Sequence, residues 1–345
     1  MSDVTVAVDA GGADKGPAEV AAGAAEAARS GIRVILFGDA AQIGGVPAGV
    51  EVRDAPVSIA KEADPVSAVR ATPQASVAQA AKAVASGEAQ AFVSGGSTGS
   101  ALAAGVLHIR RQRGIHRPAL ALLVPIPGAP VLFLDVGAST EVRSERLVQH
   151  AHMGSAWAQT ILGIDKPRIA LLSNGEEPTR GTPEVVAAHA VLAATETLDF
   201  RGNIEGVGLA AGVADVVVTD GFTGNVALKM MEGVSTALID AIKNAATGDA
   251  RAMAGALLLR PALSGLREQL DPEEHGGAYL LGLKSVGVVA HGRFSARGFT
   301  RAIEVAAEAV RSGAINRTHA ALETAGVLRG ASGRASDNPE TPGLV

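Results

Sequence analysis

The sequence predicts an α/β fold, layered α/β/α around a mostly parallel sheet. Short, near-continuously apolar runs alternate with longer alanine-rich runs at helical spacing, the grammar of βαβ units with buried parallel strands. Several apolar runs end in glycine- and hydroxyl-rich turns, and a helical run then follows. Aromatic residues make up only 3% of the chain, so the core must be built from Ala, Val, Leu and Ile.

Each element follows in order. VTVAVDA (4–10) predicts a strand, and PAEVAAGAAEAARSG (17–31) a helix opened by Pro17 and closed by Gly31. RVILFGD (33–39) is the next strand. SVAQAAKAVASGEAQ (76–90) predicts a helix, AFVSGG (91–96) a strand entering a glycine turn, and STGSALAAGVLHIRRQ (97–112) another helix. LALLVPI (120–126) and PVLFLDVGA (130–138) are strands, and a helix runs from about Ser144 to Leu162. RIALLSNG (168–175), a helix over 183–197, the strand ADVVVTDG (214–221) and a helix from about Asn225 continue the pattern. SVGVVAHG (285–292) is the last strand, followed by a helix over 298–312.

Residues 246–280 break the rhythm, with Pro261 inside an alanine- and leucine-rich run. Leu259, Leu263, Leu266 and Leu270 fall on one helical face, and Arg260, Ser264 and Arg267 on another. Two readings stand: a helix packed on a neighbour or across a dimer interface, or a helix lying on a membrane surface. The expected organisation is a single catalytic unit over 1–329, in one or two lobes, with this stretch as an amphipathic helical insertion. GASGRASDNPETPGLV (330–345) is expected to be a disordered tail.

With 345 residues, 47% of them hydrophobic, the chain can bury one large core or two linked ones. A net charge of -5 supplies no basic field for nucleic acid. There is no cysteine, and Asp3 and Asp9 interrupt the opening MSDVTVAVDA, so a cytoplasmic protein without a signal peptide is expected.

Ligands of parallel α/β folds sit beyond the carboxyl ends of the strands. VSGGSTGS (93–100) occupies such a place: Ser97 or Thr98 can cap the helix, while Gly95, Gly96 and Gly99 allow tight backbone geometry that favours an anion. LDVGASTE (134–141) repeats the design with Asp135, Gly137, Ser139 and Thr140. DGFTGN (220–225) is the third case: Asp220 ends the strand, Gly221 and Gly224 turn the chain, and Thr223 and Asn225 offer short polar groups. Lys229 lies one helical turn beyond Asn225, as an amine for an oxyanion or as an ordinary solvated side chain. His291 closes the last strand. Glu176, Glu177 and Arg180 follow another strand, to hold a cation, orient a loop or form an exposed ion pair. His150 and His152 read as structural or exposed. Neither a Walker A sequence, a complete GxGxxG, a GxSxG elbow nor an HExxH occurs, so no cofactor and no metal are expected. The residues favour phosphate chemistry by positioning rather than by a covalent nucleophile.

In order, these turns resemble the bacterial phosphate acyltransferase family of phospholipid synthesis. DAGGADKGP (9–17) resembles its DAMGGDxGP, VSGGSTGS its VSAGNTGA, and LDVGASTE its LDVGANxD. LVQHAHMGSAWAQTILGIDKPRIALLSNGEEPTRG (147–181) resembles LxQFAxMGxxYAxxxxGxxxPxVGLLNxGEExxKG. GNIEG (202–206), DGFTGNVALK (220–229), GGAYLLG (276–282) and VVAHG (288–292) complete a likeness over roughly residues 4–312. Departures fall at Gly11, Ala13, Ser97, Ser139, Glu141, Arg180, Arg293 and Phe294.

The resemblance implies a fold similar to phosphotransacetylases and isopropylmalate dehydrogenases, and a homodimer. It implies reversible transfer of a fatty acyl group from acyl carrier protein to orthophosphate, without a cofactor. The acyl phosphate would feed a membrane glycerol-3-phosphate acyltransferase, with peripheral contact at the inner face of the membrane. Phosphate is then expected near Ser94, Gly96, Ser97, Thr98 and Gly99 and near Gly221, Thr223 and Asn225. Lys229 or His291 would stabilise developing charge, and Asp9 and Asp220 would orient. Asp135, Ser139, Glu176, Glu177 and Arg180 would support. The leucine-rich 257–270 stretch is a candidate acyl groove. Arg110, Arg111, Arg113 and Arg117 are a candidate carrier dock or ordinary solvated side chains. Three rivals remain: a short-chain phosphotransacetylase using acyl coenzyme A, a dehydrogenase of related sheet topology, for which no dinucleotide or metal constellation is present, and a non-catalytic acyl or phosphate sensor.

Overall fold

The computed structural model describes residues 4–45, 48–126, 130–269 and 271–329. Its strands are β1 (Thr5–Asp9), β2 (Arg33–Gly38), β3 (Val50–Asp54), β4 (Ala91–Ser94), β5 (Ala119–Val124), β6 (Val131–Leu134), β7 (Arg168–Leu172), β8 (Asp199–Ile204), β9 (Val216–Val218), β10 (Ala278–Leu281) and β11 (Val286–Val289). Helices α1 (Pro17–Arg29), α2 (Ala40–Ile43), α3 (Pro65–Ala71), α4 (Ser76–Ala85) and α5 (Thr98–Ala104) belong to the first half. Then come α6 (Ser144–Trp157), α7 (Pro183–Ala193), α8 (Gly206–Ala210), α9 (Gly221–Ala246), α10 (Ala250–Gln269), α11 (Ala296–Arg311) and α12 (Ala314–Thr324).

One sheet holds these eleven strands in the order β3-β2-β1-β4-β11-β10-β5-β6-β9-β7-β8. The pairs at each flank are parallel, but β11–β10, β10–β5 and β5–β6 are antiparallel. Three reversals are an odd number. The carboxyl ends of β1, β4 and β11 therefore lie on one edge of the sheet, and those of β6, β9, β7 and β8 on the other.

Strand alternation divides the core between the two faces. Val6 and Val8 join one apolar cluster, while Ala7 joins the other. Each fully buried Val or Leu contributes about 1.5–3 kcal/mol. Trp157, from α6, is buried and meets the Tyr279 ring of β10 at 4.8 Å.

Several boundaries differ from the sequence reading. The helix expected from Asn225 begins at Gly221, because the Asp220 carboxylate accepts from the Thr223 amide and caps it. The helix after β4 ends in a π segment, Gly105–Ile109. The 246–280 stretch contains the end of α9, all of α10 and a short 3-10 turn. It then supplies β10 to the middle of the sheet. Of the four leucines assigned to one face there, Leu259 is exposed; Leu263, Leu266 and Leu270 lie outside the described side chains. The 330–345 tail also lies outside the described residues. No helix among the described residues is long and apolar enough to cross a membrane.

Candidate active site

The first edge of the sheet gathers the 9–16, 94–99 and 291–294 turns. Asp9 ends β1 fully buried. Its Oδ1 accepts from the Gly11 amide at 2.9 Å, and its Oδ2 from the Ser94 hydroxyl at 2.7 Å. The Ser94 hydroxyl in turn accepts from the Gly96 amide at 3.2 Å. Ser94 and Gly96, expected to hold phosphate, are therefore committed to the loop itself. Ser97 caps α5 by accepting from the Ser100 amide at 3.2 Å. The amides of Ser97, Thr98 and Gly99 donate to no other group among the described residues, and these positions are half-exposed.

Ser76 was not legible as part of this network. A Cβ on Gly11 would meet the Ser76 hydroxyl at 2.1 Å and Oδ1 of Asp9 at 3.2 Å. The hydroxyl thus occupies space that a larger residue at position 11 would need.

Burial pushes the Asp9 carboxyl up from 3.8 to about 6, against the lowering pull of Ser76, Ser94 and the Gly11 amide. The folded value lies above the unfolded one. The stabilising contribution is therefore full below pH 3.8 and lost as pH rises through about 6. Asp9→Asn removes this dependence. Between about pH 4 and pH 7 the wild type should lose on the order of 3 kcal/mol relative to the variant. Chemical denaturation of both proteins across that range checks it, and parallel pH slopes would contradict it.

His291 lies just beyond β11. Its Nδ1 accepts from the Arg293 amide at 3.2 Å, which leaves the ring proton of the neutral form on Nε2. Phe294 stacks beneath the ring, with centroids 6.0 Å apart and planes at 29°. Burial is the main cause pushing the His291 pKa down; the Lys229 and Arg293 charges add to it, while Glu232 and Asp14 oppose it. His291 is thus a neutral hydrogen-bond donor at neutral pH. Phe294 and Arg293, two departures from the family pattern, supply its support.

The opposite edge gathers the 135–140, 173–181, 203–206 and 219–225 turns. Asp135 is fully buried. Its Oδ1 accepts from the amides of Leu120, Gly137 and Ala138, and its Oδ2 from the Ser139 hydroxyl at 2.9 Å. Gly221 and Gly224 bring α9 hard against this loop: a Cβ on Gly224 would stand 1.9 Å from the Asp135 carbonyl oxygen. Gly224→Ala should therefore cost about 1–3 kcal/mol. A lowered denaturation midpoint is the readout, and an unchanged one would contradict this packing.

The Asn225 amide donates to the Val136 carbonyl at 3.3 Å, while Thr223 and Asn225 remain exposed. Glu176, Glu177 and Arg180 are exposed, and Glu177 pairs with Arg180 at 3.4 Å. Asn203, from the GNIEG segment, holds this turn by donating to the Glu177 carbonyl at 2.9 Å. His150 and His152 are buried, and neither nitrogen of His150 has a partner among the described residues.

The sequence reading joined the 94–99 and 221–225 turns around one phosphate. The strand directions send them to opposite edges, and no hydrogen bond links them among the described residues. Asp220, expected to orient the site, is the N-cap of α9. Helix α9 connects the two regions. Lys229 is about 6 Å along the axis from Asn225, pairs with Glu232 at 2.7 Å, and acts electrostatically on His291. Phe222, Val226, Met230, Val234, Leu238 and Ile242 recur every fourth residue along α9 and are exposed. Among the described residues no cluster of three or more His, Cys, Asp or Glu is placed to hold a metal.

This sheet and its paired turns define the phosphotransacetylase class of fold. A phosphotransacetylase from Streptococcus pyogenes superposes with a TM-score of 0.60 at 18% identity, covering 90% of this chain and 94% of that one. The chain belongs to the family described as fatty acid synthesis protein, whose model matches residues 4–317. It is 42% identical to a phosphate acyltransferase of Thermobifida fusca over 306 residues, covering 86% of this chain and 85% of that protein. A phosphate acyltransferase of Geobacillus thermodenitrificans is 41% identical over 326 residues, covering 93% of this chain and 99% of that protein.

Proposed function

We propose that this protein transfers a fatty acyl group from a carrier-protein thioester to orthophosphate. The observation that carries the reading is the alignment of α9. Lys229, one turn beyond Asn225, is close enough to act on His291, and His291 presents its neutral Nε2–H on the sheet edge that also carries the open amides of Ser97–Gly99.

Phosphate binds at those amides, with Lys229 supplying positive charge. One phosphate oxygen attacks the thioester carbonyl carbon. The C–O bond forms as the carbonyl electron pair moves onto oxygen. His291 donates to that oxyanion. The oxyanion then collapses, the C–S bond breaks, and the thiolate leaves with its electron pair. Orthophosphate is already substantially dianionic near neutral pH, so no strong base is required. Thr223 and Asn225 line the donor's approach at the start of α9, its thioester carbonyl lies at His291, and the apolar row from Phe222 lies beside the acyl chain. Thr223→Ala and Asn225→Ala should each raise the donor KM roughly tenfold, the worth of a hydrogen bond at about 1.5 kcal/mol. Unchanged KM values in both would remove these residues from the donor site.

The protein works as a homodimer at the inner face of the membrane and hands acyl phosphate to a membrane glycerol-3-phosphate acyltransferase. The exposed apolar side chains of α9, with Met253, Leu257, Leu258 and Leu259 on α10, support a face for a second copy or for lipid. The deciding assay supplies long-chain acyl carrier protein and orthophosphate, follows thiol release and traps acyl phosphate with hydroxylamine. Acyl coenzyme A runs in parallel. Phosphate-dependent product with carrier preference supports the reading. Preference for a short-chain coenzyme A donor replaces it with a phosphotransacetylase, and no product from either donor replaces it with a sensor.

A further inference from the structure

A cavity of about 520 Å3 opens where Arg110, Arg111, Arg113 and Arg329 converge over Val106 and Leu107. Among the described residues no acidic side chain lines it. Arg110, Arg113 and Arg329 are exposed, and none of the three forms an ion pair among the described residues. Like charges gathered there repel one another, and Arg111 is held in place by donating to the Ile115 and His116 carbonyls.

That backbone is unusual. Arg110 is the one non-glycine residue with positive φ among the described residues, at 71°, and it ends the π segment Gly105–Ile109. Such conformations concentrate at functional positions. The loop is tied from three sides. The Arg329 amide donates to the Gly114 carbonyl at 2.8 Å, and the Lys284 amide to the Arg110 carbonyl at 2.9 Å. Gln149, buried in α6, donates to the carbonyls of Gly114 and Val327 and accepts from the His116 amide. The arginines project from a preorganised frame, in a chain whose net charge is -5.

Position gives the partner. The loop leads directly into β5, whose first turn of contacts includes the Leu120 amide on Asp135. The basin therefore shares the sheet edge from which α9 departs. Arg117, Arg143 and Arg146 lie beyond the basin, interspersed with Glu141 and Glu145.

We propose that the basin of Arg110, Arg111, Arg113 and Arg329 docks an acidic protein surface, that of the carrier bearing the acyl thioester. This inference rests on the transfer reading above. Charge complementarity at such a rim acts chiefly on encounter rate and is weakened by salt.

The test uses the full chain and Arg113→Glu/Arg329→Glu, with purified acyl carrier protein as the probe. Direct titration of carrier binding and steady-state kinetics with carrier and coenzyme A thioesters are read together. At least a tenfold loss of carrier affinity, flattening of its salt dependence and an unchanged KM for phosphate are expected. Equal carrier affinity in the two proteins overturns the dock. A raised KM for phosphate or for the coenzyme A donor, with carrier binding intact, also overturns it and assigns the basin to a small anion. If the wild type turns over neither donor, the transfer reading fails, and carrier titration still decides the dock. Arg113→Gln/Arg329→Gln serves if the reversed pair does not fold, with a smaller loss in the same direction.

Discussion

Asp135→Ala should lower the stability of this protein by roughly 3–5 kcal/mol, because several buried donors lose their acceptor at once. The carboxylate is fully buried and satisfies three backbone amides and one hydroxyl at once. Alanine leaves the Leu120, Gly137 and Ala138 amides and the Ser139 hydroxyl without that acceptor. Each unpaired buried donor costs about 1–3 kcal/mol, reduced where water enters. The loop also seats Gly221 and Gly224, so α9 loses its base as well. Asp135→Asn should lie between the two proteins, since one amide oxygen still accepts. Equilibrium denaturation measures all three. A loss below about 1 kcal/mol for alanine would mean that the loop is held by something other than this carboxylate.

His291→Ala should reduce kcat by roughly 100- to 1000-fold, the usual cost of removing one oxyanion donor. His291→Gln should recover part of that loss, because its side-chain amide still presents an N–H. The pH profile discriminates more sharply than the magnitude. Burial and the nearby Lys229 charge hold the imidazole below its ordinary pKa. Wild-type turnover attributable to this group is therefore flat through neutral pH and falls only on acidification, when protonation disrupts the bond from the Arg293 amide to Nδ1. Rapid-quench kinetics over that range check it. Turnover by His291→Ala within tenfold of wild type would remove the ring from the chemistry.

The parts of the fold that were legible in the sequence are those buried on both faces. TVAVD, RVILFG and AFVS read as strands because each is almost wholly apolar, and all are buried except Arg33. VEVRD was missed because it alternates and lies at the sheet edge. AYLL was quoted only as part of a motif, since four apolar residues after an irregular stretch carry no period. Its two antiparallel pairings cancel, so the β5–β6 hairpin sets the relative direction of the two halves.

The site followed the same division. His291, Asn225 and Lys229 were visible from their places after strands, but the tautomer depends on a backbone amide two residues away. Asp220 was read as an orienting group, and a carboxylate that ends a strand can orient a site or cap a helix equally well. Arg329 joins the arginine basin from far along the chain, where no sequence run announces it.

The contact between Gly11 and Ser76 also limits the order in which this sequence can change. Methionine, the residue of the family pattern at position 11, needs volume already filled by the serine hydroxyl, 2.1 Å from its Cβ. Introduced alone it must displace that hydroxyl. Introduced after Ser76→Ala it meets one fewer obstacle. The two substitutions are thus non-additive, and the route that trims position 76 first is the passable one.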